Sequence, residues 1–326
     1  MSPFRITLVF IVLIFFGLLV IKLTTKRARL LHETFEVFAT KDGEMKKFNI
    51  NNEAPKNTVG TITNFNSKNN LPLKDYCIMS SRNTAKSGSY MNAEMIKYVL
   101  SRGCRLLDFE IYEFDGAPYV AYSTDGNNRY IDTKNKILLD DALKTVAEFG
   151  FAAPCPNPND PLFIQLRIRI NQTTDNMFQI ITTAIRDNLG QRLMSGKVSG
   201  QTPIFSLREK IVIILDRENQ TPRIKPNIIG NSDELPTDYY DNVLALTPQP
   251  PIINADNLRT NIPGITMTFA NDGNPSQLNK LITQHGTQFI CYNFSENTSE
   301  YETIFNDNGS AFVPFSQMIP YIQKKM

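Results

Sequence analysis

The sequence predicts an α/β protein, most economically a (β/α)8 barrel, behind one apolar segment at the amino terminus. Three observations predict it. Strand-like and helix-like segments alternate from Leu71 to the carboxy terminus, the pattern of repeated βα units on a parallel sheet. The run Ile6 to Ile21, ITLVFIVLIFFGLLVI, carries no charge and no polar face. The 326 residues, 41% apolar and 10% aromatic, supply core for about two domains or one large barrel.

The amino-terminal run covers roughly 24 Å as a helix, just short of a ~30 Å hydrocarbon core. Arg5 and Lys22 flank it and can snorkel to close the gap. Leu23-Thr24-Thr25-Lys26 offers no small-residue cleavage pattern, so residues 1–25 read as an uncleaved transmembrane helix rather than a signal peptide. Lys22, Lys26, Arg27 and Arg29 follow the span and Arg5 precedes it, which places the carboxy-terminal body of a single-pass protein on the cytoplasmic side. Residues 26–70 read as a flexible linker, because KKFNINNEAPKNTVGTITNFNSKNN is polar and keeps no period.

Residues 71–326 form the barrel domain. Tyr76–Ser81 reads as a buried strand, and Asn92–Arg102 as a helix with Met95, Tyr98 and Val99 toward the core. Arg105–Phe114 and Pro118–Ser123 are β-rich, and Leu138–Phe149 has helical spacing. Leu162–Ile170 alternates as a strand, Thr174–Leu189 is helical, and Lys210–Asp216 is a buried strand. Thr221–Asp241, rich in Pro, Asn and Asp, reads as a long loop between two halves. Strands at Asn242–Leu246, Ile265–Phe269, Gln288–Phe294 and Ala311–Phe315 follow, with a helix at Pro275–His285.

Charge and composition exclude several functions. Lys plus Arg number 34 and Asp plus Glu 32, a net +2, so the chain is no general nucleic-acid binder. Cys77, Cys104, Cys155 and Cys291 are too few for a disulfide-built fold and contain no zinc-type pair. Any mechanism that needs two histidines must use both His32 and His285. Asn makes up roughly a tenth of the chain, so several of the glycosylation sequons at Asn171, Asn219, Asn293, Asn297 and Asn308 are expected by chance.

In a barrel the site lies at the carboxy-terminal ends of the strands. Arg82 and Asn83 fall after the first strand, Asp108 and Glu110 in the second, Ser123 and Asp125 after the third, and Arg167 in the fourth. The stretches that carry them, SSRNTAKSG at 80–88, GCRLLDFEIYEFDGAPYVAYS at 103–123 and PLFIQLR at 161–167, resemble the X region of phosphatidylinositol-specific phospholipase C. LREKIVII at 207–214 resembles the strand closing that region, and the segment 286–315 resembles the end of the Y region. The resemblance covers about residues 75–326 in order and implies a TIM-like barrel of the phospholipase-C-like phosphodiesterase type.

It also implies roles. The family's general-base histidine aligns with Arg82 and its second catalytic histidine with Ser123. Of the Ca²⁺ ligands, the asparagine is kept as Asn83, the Glu-x-Asp pair becomes Asp108 and Glu110, and the last glutamate aligns with Arg167. Two phosphate-holding lysines align with Ile214 and Asp216, and Arg259 in LRTNIPG corresponds to a headgroup arginine with a slip of one residue.

An arginine cannot serve as general base, because its pKa exceeds ~12, and serine is a poor acid. Loss of both proton transfers should cost on the order of 10⁴–10⁸ in rate. Ca²⁺ needs about six to eight oxygens, and Arg167 in place of a carboxylate reverses the local charge, so the family cofactor is expected to be lost. Arg82 and Arg167 would instead neutralise Asp108 and Glu110. Three readings of the two arginines follow: a plain salt-bridge cluster, an anion site that grips a lipid phosphate, or an altered phosphodiesterase with Asp108, Glu110 or Asp125 as base. For Asn83 the plain reading is a turn residue at the strand end.

The expectation is a membrane-anchored, phospholipase-C-like protein, catalytically impaired, that binds phospholipid headgroups through Arg82, Arg167 and Arg259 or acts as a scaffold. The competing class is an active phosphoric diester hydrolase on phosphatidylinositol or another phospholipid. A structural protein, such as an envelope component of a large DNA virus, is compatible with the Asn-rich composition.

Overall fold

The structure is a computed structural model that describes residues 43–45, 59–62, 70–124, 130–169, 175–194, 198–216, 244–247, 252–253, 256–261, 265–270, 273–275 and 277–325. The chain divides into two compact units, Met1–Asn49 and Ile50–Met326, and the strands and helices from Leu73 onward belong to the second.

After a 3₁₀ turn at Leu73–Asp75 come β1 (Tyr76–Ser81), a small hairpin β2 (Lys86–Ser87) and β3 (Tyr90–Met91), and helix α1 (Ala93–Ser101). The Asn92 side chain caps α1 by accepting from the Glu94 N–H at 3.0 Å. Next are β4 (Leu106–Phe114), β5 (Ala117–Ala121), β6 (Ile137–Leu138), α2 (Leu139–Phe149), β7 (Leu162–Ile168), α3 (Asp175–Leu189) and β8 (Ile211–Asp216). The remaining elements are β9 (Leu244–Thr247), β10 (Ile252–Ile253), β11 (Asp256–Asn261), β12 (Ile265–Ala270), α4 (Leu278–Thr283), β13 (Phe289–Tyr292), α5 (Ser299–Asn308), β14 (Phe312–Pro314) and α6 (Phe315–Lys325).

Among the described residues, twelve strands form one mixed sheet in the order β14-β1-β13-β12-β11-β9-β8-β7-β4-β5-β6, with β10 beside β11. The central strands are parallel: β4 with β7, β7 with β8, β8 with β9, β12 with β13, and β13 with β1. β1 also pairs with β4 at Ser80↔Leu106. All seven residues of β7 are buried, as for a strand covered on both faces. Residues two apart on it share one face, so Phe163, Gln165 and Arg167 run in a line. At the lower end Phe163 meets Phe289 at 5.2 Å and Phe312 at 6.5 Å, an aromatic floor. The same line of side chains then ends on a guanidinium.

The structure corrects the expected architecture in three respects. The sheet is mixed, not eight parallel strands: β5, β6, β11 and β14 all pair antiparallel to their neighbours. Two helices, α5 and α6, occupy stretches that carry no expected helix. α5 (SEYETIFNDN) is polar and Asn-rich, yet it buries Tyr301, Ile304 and Phe305 and ends on Gly309 at φ 67, a left-handed cap. α6 contains Pro320, a residue that reads as a break, and is held by burial of Met318 and Ile322. On α1 the fully buried residues include Ile96 and Leu100, whereas Tyr98 is only half-buried.

No helix among the described residues is long and apolar enough to cross a membrane. The expected span Ile6–Ile21 lies outside those residues, as do most of 26–70 and the loop Thr221–Asp241. Within 26–70, residues 59–62 are described and lie against the body: Val59 is buried, and the Gly60 N–H donates to the Gly309 carbonyl at 3.1 Å.

Candidate functional site

β1 ends in a tight turn that faces the first half of β4. Asn83 sits there in the left-handed region at φ 48, a conformation Asn tolerates through its short polar side chain. Its N–H donates to Asp108 Oδ2 at 2.8 Å, and its carbonyl accepts from the Lys86 N–H at 2.8 Å. The Thr84 N–H donates to the Asp108 carbonyl at 2.9 Å, while the Asp108 N–H donates to Thr84 Oγ1 at 2.7 Å. Ser81 Oγ lies 2.7 Å from Thr84 Oγ1 and donates to the Leu106 carbonyl at 2.7 Å. This stitching holds the β1 turn and β4 as one rigid edge.

Parallel pairing of β4 with β7 sets Asp108 beside Gln165 and Glu110 beside Arg167. Arg167, 2% exposed, donates from Nε to Asp108 Oδ1 at 2.7 Å and from Nη2 to Asp108 Oδ2 at 2.7 Å, a bidentate fork. Nη2 also donates to Asn83 Oδ1 at 2.6 Å, and Nη1 donates to Glu110 Oε1. The guanidinium therefore spends its donors on the three residues that the family resemblance marks as Ca²⁺ ligands. Asn83 is thus a turn residue at the end of β1, and its side-chain oxygen accepts from Arg167.

Arg82 is half-buried, and its N–H donates to the Tyr292 carbonyl at 2.8 Å. Burial lowers its pKa first and the neighbouring Arg167 lowers it further, against the pull of Asp108, Glu110 and Tyr122. Ser123 is half-buried just past β5, where Ala121 pairs with Glu110. Arg259 lies on β11 at the register position opposite Met267. Asp125 lies outside the described residues. β8 brings Asp216 to the position beside Arg167, and Ile214, wholly buried, beside Gln165.

Two site residues escaped the sequence reading. Arg169, two residues past Arg167, donates from Nε to Glu110 Oε1 at 3.4 Å. The Tyr112 hydroxyl, two past Glu110, lies 3.4 Å from Glu110 Oε2; burial first and then Glu110 raise its pKa. The strand period of two would have found both. Below them, Gln165 is fully buried with neither amide atom partnered among the described residues, a cost of about 1–3 kcal/mol unless water fills the place.

Chemically, this is a buried cation clamp. Both oxygens of Asp108 and Oε1 of Glu110 accept from Arg167, so a substrate hydroxyl would have to displace the guanidinium to give up a proton to any of these three. His285 lies before the start of β13, at the opposite end of that strand from Tyr292. Ca²⁺ does not fit: Asn83, Asp108 and Glu110 already accept from the Arg167 guanidinium, which leaves no shell for a divalent cation that takes about six to eight oxygens.

The family model described as phosphatidylinositol-specific phospholipase C, X domain, matches residues 69–216. Among solved structures, the chain is similar to L. pealei PLC21, at 15% identity and TM-score 0.51, over 76% of this chain and 37% of that one. It is likewise similar to S. officinalis PLC21, at 16% identity and TM-score 0.50, over 76% of this chain and 37% of that one. The chain thus spans little more than a third of either, and at these identities the likeness is one of fold. A comparison with curated proteins returned no match.

Proposed function

As residues 69–216 belong to the phosphatidylinositol-specific phospholipase C X-domain family, we propose that the chain is a phospholipase-C-like protein that binds an anionic phospholipid headgroup without cleaving it. The observation that carries this reading is the bonding of Arg167 to Asn83, Asp108 and Glu110. A fixed guanidinium takes the electrostatic place of the family metal. With Arg82 and Ser123 at the histidine positions, the site offers cations suited to a phosphate and no histidine to relay protons at neutral pH. Arg82 and Arg169 flank the clamp and are the residues for that phosphate; Arg259 is the further candidate on β11. Pairing of β1 with both β13 and β4 supports a closed, barrel-like sheet around the site. The uncharged run Ile6–Ile21 supports a membrane tether with the body on the cytoplasmic side, which keeps the pocket near its ligand at high effective concentration.

One observation favours an enzyme. Arg167 takes Glu110 Oε1, and Glu110 Oε2, 3.4 Å from the Tyr112 hydroxyl, is the carboxylate oxygen left to act as a base. The test separates the two. The full chain in neutral detergent micelles is titrated with inositol 1-phosphate, and in parallel given phosphatidylinositol with Ca²⁺ or EDTA. Binding that weakens with salt, falls at least about tenfold in Arg82→Gln plus Arg169→Gln, and comes without release of inositol phosphates supports the binder. Release that Glu110→Gln abolishes would establish a phosphodiesterase and end the proposal.

A further inference from the structure

Asp160 is charged-group chemistry away from the site. It lies in the loop before β7, fully buried, and its Oδ1 accepts from the Ile62 N–H at 2.9 Å. Its Oδ2 is buried without a hydrogen-bond partner among the described residues. The Arg105 guanidinium beside it, also fully buried, donates from Nε to the Pro161 carbonyl at 3.0 Å, from Nη1 to the Gly150 carbonyl at 2.8 Å and Cys155 Sγ at 3.2 Å, and from Nη2 to the Asp160 carbonyl at 2.6 Å. The carboxylate thus has a cation nearby but no direct ion pair with it.

Over this carboxylate lies the segment 59–62. The Gly60 N–H donates to the Gly309 carbonyl at 3.1 Å, and Gly60 forms a parallel bridge with Ser310. Val59 is buried against Gly103, which is at φ 85 and where a Cβ would come within 2.7 Å of Val59 Cγ1. Gly103 and Asp160 shortly precede β4 and β7, whereas Asp108 and Glu110 lie farther along β4 and Arg167 lies near the other end of β7. The segment is therefore docked at the amino-terminal ends of these strands, away from the clamp.

We propose that residues 59–62 are a proton-controlled strap, whose docking on the amino-terminal ends of β4 and β7 tightens when Asp160 takes up a proton. The physical reason is desolvation. Docking holds a carboxylate away from water with one oxygen unbonded, which disfavours its charged form. Arg105 on the approach to β4, Arg208 beyond the loop, the Ile62 N–H and the Asn157 side chain all favour the charged form, and burial outweighs them, raising the pKa to about 6. The Cys155 thiol, the other titratable group there, donates to Asn157 Oδ1 at 3.2 Å, and the Glu209 N–H reaches the loop at the Asn159 carbonyl. Residues 59–62 themselves bring no ionisable side chain. Lifting the strap takes the Ile62 backbone off Asp160 Oδ1 and opens that oxygen to water, which moves the pKa back toward the ordinary ~3.9. The proton is thus bound more tightly in the docked state, and docking strengthens as pH falls through 6 and weakens as it rises.

The experiment is amide exchange of Gly60 and Ile62 in the full chain at about pH 5 and about pH 7.5, each rate divided by the unstructured rate at that pH. Protection of Ile62 is expected to be up to about tenfold higher at the lower pH, and nearly equal at the two in Asp160→Asn. Asp160→Ser, likewise uncharged, serves if the asparagine variant does not fold. Equal protection in the unaltered chain overturns the proposal, and so does a pH dependence that survives in a folded, uncharged variant. Neither result bears on headgroup binding, which lies at the other end of the strands.

Discussion

Arg167 sits between Asp108 and Glu110 with almost no exposure, and the energetics of that burial make it testable. Removing one member of a buried ion cluster leaves the rest uncompensated, at a cost of about 3–5 kcal/mol. Arg167→Ala should therefore lower stability in urea by about that much; a loss under about 1 kcal/mol would mean that water reaches the carboxylates. Arg167→Glu restores the ligand set implied by the family, and millimolar Ca²⁺ should raise its thermal midpoint while leaving the unaltered chain unmoved. A Ca²⁺ response in the unaltered chain would contradict the clamp. Much of this site was legible, because Asn83 and Arg167 fall where strands end and Asp108 and Glu110 are carboxylates two apart within a buried strand. Arg169 and Tyr112 were equally visible in principle, as next neighbours on the same strand faces, but reading only the aligned positions passes over them.

At the scale of elements, α1 and α5 are joined by a buried ion pair that no local pattern announces. Arg102 follows α1 and donates from Nε to Glu302 Oε2 of α5 at 2.5 Å, and the Thr298 hydroxyl donates to Glu302 Oε1 at 2.5 Å. The partners are 200 residues apart in sequence. Glu302→Ala should cost about 3 kcal/mol or more, since it strands a buried guanidinium. Glu94→Ala, which removes an exposed pair with Lys97 at 3.9 Å, should cost under about 0.5 kcal/mol. Equal effects in urea denaturation would show that the buried pair is not a tie between the helices. α5 and α6 escape a local reading for a related reason: α5 is polar and α6 carries Pro320, and burial of Tyr301, Phe305, Met318 and Ile322 against the rest of the fold holds them.

For the whole molecule, β1 draws partners from both ends of the chain. It pairs with β4 at Leu106, with β13 through Ile78↔Phe289 and with β14 through Ile78↔Phe312. All six of its residues are buried. The family match stops at residue 216, yet the strands that cover β1 come later. A chain ending at Asp216 should therefore lack a cooperative urea transition, seen by near-ultraviolet dichroism at Tyr side chains. A sharp transition in that fragment would show that the matched segment folds alone.

The sequence by itself determined the class of the fold, the order of most strands along the chain, and the presence of Arg82, Ser123 and Arg167 where the resemblance expects two histidines and a carboxylate. These follow from local periodicity and residue chemistry. Only the tertiary structure decided which strands run antiparallel, which arginine takes both carboxylates, and that residues 59–62 lie over Asp160. Each of these depends on register between segments far apart, 59 residues for Arg167 and Asp108 and 98 for Ile62 and Asp160. A shift of one residue in either strand would turn Arg167 to the opposite face of the sheet, and nothing within a single strand sets that register.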